Sequence, residues 1–419
     1  MAGFELTTRL VALGLLLTSF STLAATEQPP LTEAATLLGT AVKGTNYTIE
    51  TPVASDGMLY AFTLETPFGR HTVFGEQLLK LRLHELAVLE KLEALSTSEE
   101  FSRGLATGLG KPIDAVADAM TNPLALASGA VSGFGEAFGK VGAGLTDPYP
   151  KPANATEALI SASAARRQIA YDYDVDPYTS FPPLAARLNQ LAEASALGGI
   201  AVKGAVKAPA GLAAAGPKSS GKTGELIRTK TVPELEALNR EALHSLGIDE
   251  RAAQAFLANG NYTPTDKTMI VAALSTMRQA EGLSLYLSLI AKAQRPDLAF
   301  FHRLQTQWIA AYHARVAPLE AFVSMVGMPF MRRADGKLVG FFPVDMIAWT
   351  DAVEKAALAM NERILKERAN GLELRITGTV TEDAQQGFKK LGWRVFPKDT
   401  GLIDGSRVGL RTQSVGPAN

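Results

Sequence analysis

Hydrophobic and polar residues alternate over residues 46–75, and this alternation predicts a small β-sheet. Two turn signals interrupt it, Ser-Asp-Gly at 55–57 and Thr-Pro-Phe-Gly at 66–69, so we predict a meander of three strands. Residues 76–95 then follow a helical period instead. The leucines that share one face of this predicted helix are Leu79, Leu83, Leu86 and Leu89.

Residues 99–146 keep helical spacing but contain many glycines. Each glycine inside a helix costs about 1 kcal/mol relative to alanine, so such helices need a surface to lie against. We predict that this surface is a membrane or an envelope protein partner. The predicted contact residues are Phe101, Leu105, Leu109, Val131, Phe134, Phe138 and Val141. The pattern leaves one alternative open, in which these stripes pack on helix 76–95 as ordinary core.

For the remaining sequence we predict helices up to residue 316, and strands together with helices after it. Helices are predicted over 158–169 and 184–197, and five more with short loops follow residue 233. A hairpin signal, Ala-Asp-Gly at 334–336, introduces alternating strands and helices. The predicted fold class is therefore α+β and mainly helical, with a small N-terminal β-meander, central helices and a C-terminal α/β unit.

These changes of pattern divide the chain into eight predicted segments. They are a signal peptide (1–24), the β-meander plus helix (45–98), Gly-rich amphipathic helices (99–149), a helical segment (150–202), an Ala/Gly/Lys/Pro linker (203–230), a helical array (231–316), the α/β unit (317–398) and a tail (399–419).

The first 24 residues have the pattern of a secretory signal peptide. Arg9 precedes an apolar run at 10–17, and Thr22-Leu-Ala24 provides small residues before a cleavage point. We expect a mature chain that begins near Ala25 and is exported, either to the periplasm or out of the cell. An uncleaved N-terminal anchor, with membrane association, is the alternative.

Composition narrows the possible function classes. The 41 Lys and Arg residues balance 42 Asp and Glu residues, for a formal charge of −1, so no positive field attracts a phosphate backbone and we expect no nucleic-acid partner. The chain has no cysteine, which excludes a disulfide scaffold and thiolate chemistry.

The most specific motif is Gly-Pro-Lys-Ser-Ser-Gly-Lys-Thr at 216–223, which fits the phosphate-binding pattern G-x-x-x-x-G-K-[ST]. In a nucleotide-binding protein, Lys222 would reach the phosphates and Thr223 would ligate magnesium. That motif follows a buried strand and opens a long helix, whereas linker residues precede it here and Pro233 ends the stretch behind it. We therefore expect no nucleotide and no cofactor.

Asp172, Asp174 and Asp176 alternate as in the first half of a calcium-binding loop. The sixth position of that loop is Pro177 instead of glycine, and the twelfth is Pro183 instead of glutamate. We therefore expect no metal site here, and carboxylates that cap helices instead.

The segment around these aspartates carries one resemblance. The sequence has Arg-Arg-Gln-Ile-Ala-Tyr at 166–171, Val-Asp-Pro-Tyr-Thr-Ser at 175–180 and Leu-Ala-Ala-Arg-Leu-Asn-Gln-Leu at 184–191. It resembles a group of uncharacterised exported bacterial proteins, in which a Gly-rich amphipathic stretch precedes a similar helix–VDPYT–helix pattern. The resemblance covers much of residues 46–200. It implies export and a bacterial envelope setting, and it brings no activity and no catalytic residues.

Two hypotheses from different classes follow. The first is an exported envelope protein with a non-enzymatic role, which associates with a membrane or a partner through its Gly-rich segment. The second is a periplasmic hydrolase whose site is assembled in the C-terminal α/β unit, with Asp345, Asp351 and His313 as candidate residues. A cleft in which such side chains converge would favour the hydrolase.

Overall fold

The computed structural model describes residues 26–96, 155–198 and 222–403, and their fold is α+β and mainly helical, as predicted. The predicted signal peptide and all seven predicted contact residues lie outside the described residues. Within the described residues, the helices are α1 (Ala34–Leu38), α2 (Glu76–Ser96), α3 (Ala155–Asp172), α4 (Pro182–Gly198), α5 (Lys222–Thr229), α6 (Val232–Ser245), α7 (Glu250–Ala258), α8 (Pro264–Ser275), α9 (Leu283–Ile290), α10 (Pro296–Arg315), α11 (Asp351–Lys366) and α12 (Glu382–Lys390).

An antiparallel sheet begins the fold. Its strands are β1 (Thr48–Ile49), β2 (Ala54–Ser55), β3 (Tyr60–Thr66) and β4 (Gly69–Phe74). β3 is central, with β4 along one edge and with β1 and β2 sharing the other. The predicted meander is present, but its first strand is split in two. Pro52 lies between the two pieces and has no backbone N–H to donate to a ladder.

Helices α2, α3 and α4 pack together beside this sheet. Arg82, early in α2, donates to Ser180 just before α4, at 2.6 Å, and Glu93, late in α2, pairs with Arg187 inside α4. The two helices therefore run in the same direction. α3 and α4 form an antiparallel hairpin through residues 173–181. Consequently, α2 ends and α3 begins at the same end of this three-helix layer.

The helical array of α6 to α10 agrees with the sequence, since all five predicted helices are present. Polar caps start three of them: a Thr-Glu capping box at Thr231, the Asp249 carboxylate, and a Thr-Asp capping box at Thr263. The predicted linker was wrong for its last residues, which form α5. Ile227 is buried there and anchors a short helix that the Gly- and Lys-rich composition concealed.

The C-terminal unit is a mixed sheet. Its strands are β5 (Leu319–Met325), β6 (Met328–Arg333), β7 (Leu338–Phe342), β9 (Leu372–Ile376) and β11 (Arg394–Phe396), and a separate parallel pair is formed by β8 (Met346–Ile347) and β10 (Thr379–Val380). The strand order is β11-β9-β7-β6-β5. β5, β6 and β7 are antiparallel, whereas β7, β9 and β11 are parallel and connected by α11 and α12.

Both faces of this sheet are covered. On one face, α11 and α12 bury Leu374 and Ile376; on the other, Tyr312 of α10 packs edge-on against Phe341, with ring centroids 5.2 Å apart. Residues 346–347 form β8, so the helix that follows β7, α11, begins only at residue 351. The predicted tail was wrong at its start, since Asp399 is buried and accepts a 2.6 Å bond from Arg375.

No helix in residues 26–96, 155–198 and 222–403 is long and apolar enough to cross a membrane.

Candidate functional site

An open cleft of about 580 Å³ lies beside β5 in the C-terminal unit. It is bounded by the loop between α8 and α9, by the end of α10, and by β5 and β6. Its lining residues are Gln279, Glu281, His313, Pro318, Leu319, Glu320, Ala321 and Arg332. One of the predicted hydrolase candidates, His313, is among them.

The imidazole of His313 is held in one orientation. His313 is in the last turn of α10, and its Nδ1 accepts the backbone N–H of Leu319 at 3.0 Å. Because Nδ1 acts as an acceptor, the neutral ring carries its proton on Nε2. The ring therefore offers a hydrogen-bond donor at Nε2.

A β-bulge positions Glu320. Leu319 lies opposite Arg333 and Ala321 lies opposite Arg332, so Glu320 is an extra residue without a partner on β6. Bulges bend a strand and re-aim side chains. Glu320 is exposed, and it contributes a carboxylate to the cleft.

The second carboxylate of the cleft belongs to Glu281, in the loop that closes the β5 edge. Its N–H donates to the Glu320 carbonyl at 2.7 Å, and its own carbonyl accepts from the N–H of Phe322 at 2.8 Å. The next residue, Gly282, has φ +75°, and a Cβ there would lie 2.5 Å from the Phe322 carbonyl oxygen. Only glycine allows the loop to approach the strand this closely.

Arg332 is the one cation in the cleft lining, and it is already partly neutralised. Its Nη2 donates to Glu367 at 3.0 Å. Glu281 and Glu320, in contrast, take part in no ion pair among the described residues. The cleft therefore combines two unpaired carboxylates with the donors of Arg332 and His313.

The described residues that line the cleft include no serine, threonine, lysine or tyrosine. The groups there that could act as nucleophiles are the carboxylates of Glu281 and Glu320 and the imidazole of His313. In the described residues, no carboxylate or hydroxyl contacts the second nitrogen of His313.

The other two hydrolase candidates lie at the opposite end of the sheet. Asp345 follows β7, and its carboxylate accepts the backbone N–H groups of Tyr60 and Glu76, each at 2.9 Å. It therefore caps the start of α2 and joins the N-terminal sheet to the C-terminal unit. Burial raises the pKa of Asp345 to about 6, although both N–H donors favour its charged form.

A turn of the N-terminal sheet fills the crevice beside Asp345. The Met58 carbonyl accepts the N–H groups of Asp345 and Met346 at 3.0 and 3.1 Å, and the Gly57 carbonyl accepts that of Ala348 at 2.9 Å. Open α/β sheets commonly bind ligands at the carboxyl ends of their parallel strands. Here the protein's own chain occupies part of that position.

Asp351 begins α11 and accepts a hydrogen bond from the Thr26 hydroxyl. Beside it, the Glu27 carboxylate accepts the Trp349 N–H at 2.5 Å and the Thr381 hydroxyl at 2.7 Å. Glu27 thus places a negative charge at the N-termini of α11 and α12, which is favourable.

The predicted hydrolase residues are therefore not brought together. His313 lies at the amino end of β7, and Asp345 and Asp351 follow its carboxyl end. The five residues of β7 span about 16 Å.

The alternating aspartates do not gather around one point either. The Asp172 carboxylate accepts from Gln168, whereas Asp176 is buried and accepts the Thr265 hydroxyl at 2.6 Å and the Tyr178 N–H at 2.8 Å. Burial raises the pKa of Asp176 to about 6. The described residues contain no group of three His, Asp or Glu side chains that could hold a metal ion.

Asp176 is one of several buried polar contacts of the loop 173–181. On the opposite side of this loop, the Thr179 hydroxyl donates to Glu85 of α2, and Glu85 also pairs with Arg82. Through Asp176 and Thr265, the same loop is joined to the helical array. The VDPYTS sequence is therefore a structural connection between α2 and the array.

The nucleotide-binding motif lies almost wholly outside the described residues. Its last two residues, Lys222 and Thr223, begin α5. The expectation that this chain binds no nucleotide stays a prediction.

Comparison of the chain with protein-family models, with curated proteins and with solved structures gave no match.

Sequence reasoning missed Glu281, Glu320 and Arg332. They are isolated charged residues in the sequence, and only the bulge and the bridge to β5 bring them to His313. The one available signal was Gly282, a glycine that precedes an apolar helix.

Proposed function

We propose that this chain is an exported envelope protein with a non-enzymatic binding role, in which the Gly-rich segment 99–149 associates with a membrane surface or an envelope protein partner. The observation that carries this proposal is the position of the two described helices that flank the segment in sequence. α2 ends and α3 begins at the same end of one helical layer. A segment that connects them can therefore be an addition at one end of this layer.

Several buried polar side chains of the layer that flanks the segment have their partners within the described residues. The buried Arg82–Glu85 pair is satisfied by Thr179 and Ser180, and His84 contacts the Asp174 carbonyl at 2.8 Å. Buried charges need such partners, and these contacts hold α2 against the loop 173–181 without using residues 99–149. These contacts support the interpretation that the Gly-rich segment is an addition to the helical layer and is not needed to form its core.

The hydrolase alternative has weaker support. It needs a catalytic group of residues in the C-terminal unit, but His313 lies near the amino end of β7, whereas Asp345 and Asp351 follow its carboxyl end, and the five residues of β7 span about 16 Å. Among the described residues, the lining of the cleft that contains His313 includes neither Asp345 nor Asp351.

Liposome flotation tests the membrane form of this proposal. Residues 26–419 are compared with a chain lacking 99–146 and with the double variant Phe134→Asn, Phe138→Asn, in neutral and in anionic vesicles. Charges within 101–145 sum to zero, so binding that is purely apolar should be similar in both vesicle types. We expect the full chain to float and both altered chains to stay in solution.

Circular dichroism and thermal unfolding of the same three chains complete the test. If the deletion chain is unfolded, residues 99–146 belong to the core and the proposal is wrong. If all three chains are folded and none floats, the membrane form is wrong. Cross-linking through residue 134 in envelope extract then tests the protein partner, and the absence of any cross-linked envelope protein would reject that form as well.

A further inference from the structure

We propose that the cleft beside β5 binds a small zwitterion, a molecule with a free ammonium group and a free carboxylate, such as an amino acid or a short peptide. This proposal does not depend on the association of residues 99–149, because every group that it uses belongs to the C-terminal unit, to the end of α10 or to the loop between α8 and α9.

Glu281 and Glu320 are the groups of the cleft that would receive the ammonium group. Both are exposed, and neither takes part in an ion pair among the described residues. Their main chains are joined by the 2.7 Å bond from the Glu281 N–H to the Glu320 carbonyl, which fixes the two residues next to each other. An ammonium group has three donors and can be shared between two such carboxylates.

His313 and Arg332 are the groups of the cleft that would receive the carboxylate. The bond from the Leu319 N–H to Nδ1 leaves the Nε2–H of His313 as a donor. Arg332 uses its Nη2 for Glu367, and the guanidinium has further N–H donors for a second acceptor. Groups of both signs therefore line one cleft, whereas a site for a simple anion or a simple cation would carry groups of one sign.

The size and the floor of the cleft suit an organic ligand. Its volume of about 580 Å³ lies within the range of about 300–1,000 Å³ that is typical for small-molecule sites. Pro318 and Ala321 also line the cleft and are at least partly exposed, so that their apolar surface can contact a small side chain. A peptide of a few small residues would fill this space better than a single amino acid.

Titration calorimetry with trialanine as the probe tests this assignment. Residues 26–419 are titrated with trialanine, with N-acetyl-trialanine, which lacks the ammonium group, and with trialanine amide, which lacks the carboxylate. L-alanine is added as a fourth ligand to separate free amino acids from peptides. We expect trialanine to bind, and each blocked peptide to bind at least about tenfold more weakly, because each blocked peptide loses one charged contact.

Two variants locate the binding to the cleft. Glu320→Gln removes one carboxylate from the cleft, and Glu362→Gln makes the same change on the exposed surface of α11. We expect Glu320→Gln to weaken trialanine binding about five- to tenfold, without a change in Tm, and Glu362→Gln to leave it unchanged.

Three results would overturn the proposal. They are equal binding of trialanine and both blocked peptides, no saturable binding of trialanine or alanine up to about 10 mM, and unchanged binding by Glu320→Gln. Because these measurements use soluble ligands only, their failure is independent of the flotation result.

Discussion

At the carboxyl ends of β7 and β9 the chain folds back onto its own sheet, whereas at the amino end of β7 it leaves a cleft open to solvent. The first end is closed by the N-terminal turn 57–58, by Asp345 and by Glu27. The second end is bordered by one loop and by the bulge at Glu320. One sheet therefore has a filled end and an accessible end.

The contacts at the two ends differ in range. At the closed end, Asp345 contacts residues that are 269 and 285 positions away in sequence. At the open end the contacts are shorter in range, since His313 contacts Leu319, six positions away, and Arg332 contacts Glu367, 35 positions away. Long-range contacts join parts of the fold, whereas local ones shape a surface. In this protein the carboxyl ends of the parallel strands, where α/β sheets usually bind ligands, connect two parts of the fold instead. The charged cleft lies at the other end of the sheet.

The substitution that should destabilise the closed end most is Gly378→Ala. A Cβ at this position would overlap the backbone carbonyl of Asp345, and backbone atoms cannot move aside as a flexible side chain can. We expect a loss of about 4 kcal/mol or more in the free energy of unfolding, measured by urea denaturation. Gly260→Ala is the control, because no atom lies within 4 Å of its Cβ position. Equal stability of the two variants would show that the chain does not approach residue 378 as described.

The contribution of the closed end to the free energy of unfolding should also depend on pH. Burial raises the pKa of Asp345 from 3.8 to about 6, with Glu76 adding to the rise and Lys80 opposing it. The folded state therefore holds this proton at pH values where the unfolded chain has lost it, and stability falls as the pH rises from about 4 through 6. A pKa rise of this size corresponds to at most about 3 kcal/mol.

Asp345→Asn tests this pH dependence, since asparagine does not ionise. As the pH rises from 4 to 8, we expect the unfolding free energy of the asparagine variant to increase relative to that of the unaltered chain, by up to about 3 kcal/mol. Asp176, whose pKa is also raised to about 6, titrates in both proteins and cancels from the comparison. Urea unfolding at several pH values measures the shift. A difference that does not vary with pH contradicts the prediction.

A substitution at the open end should lower the free energy of unfolding much less than Gly378→Ala does. His313→Ala removes the acceptor of the Leu319 N–H, and we expect a loss of about 1 kcal/mol in unfolding free energy, because water can replace part of this bond. His244→Ala, at an exposed position of α6, is the matched control and should change stability by less than about 0.5 kcal/mol. Thermal and urea unfolding give both values. A loss as large as that of Gly378→Ala would mean that the two ends do not differ in structural importance.

The sequence predicted the helical array well because its information is local. Apolar spacing identifies each helix from α6 to α10, and capping residues such as Thr231 and Thr263 mark where two of them begin. The same local reasoning failed at α5, where the buried Ile227 was hidden among residues typical of a linker. It also failed at Asp399, whose burial depends on Arg375 in β9.

The two buried carboxylates and the cleft could not be predicted in this way. Asp176 depends on Thr265, which lies 89 positions away, and Asp345 depends on backbone groups of the distant N-terminal sheet. Asp345 was identified as a titratable candidate, but its role in joining two sheets follows only from those contacts. Glu320 enters the cleft through a bulge, and a bulge is a property of strand pairing that one strand alone does not reveal.

The position of Glu27 has a consequence for the order of folding. Its carboxylate bonds to residues 322 and 354 positions later, near the start of α11 and of α12. Closing such long loops costs entropy and is slow compared with helix formation. A ribosome synthesises Glu27 long before Thr381, so Glu27 cannot form this bond until α12 has been made. Glu27 is therefore synthesised early but reaches its final contacts late.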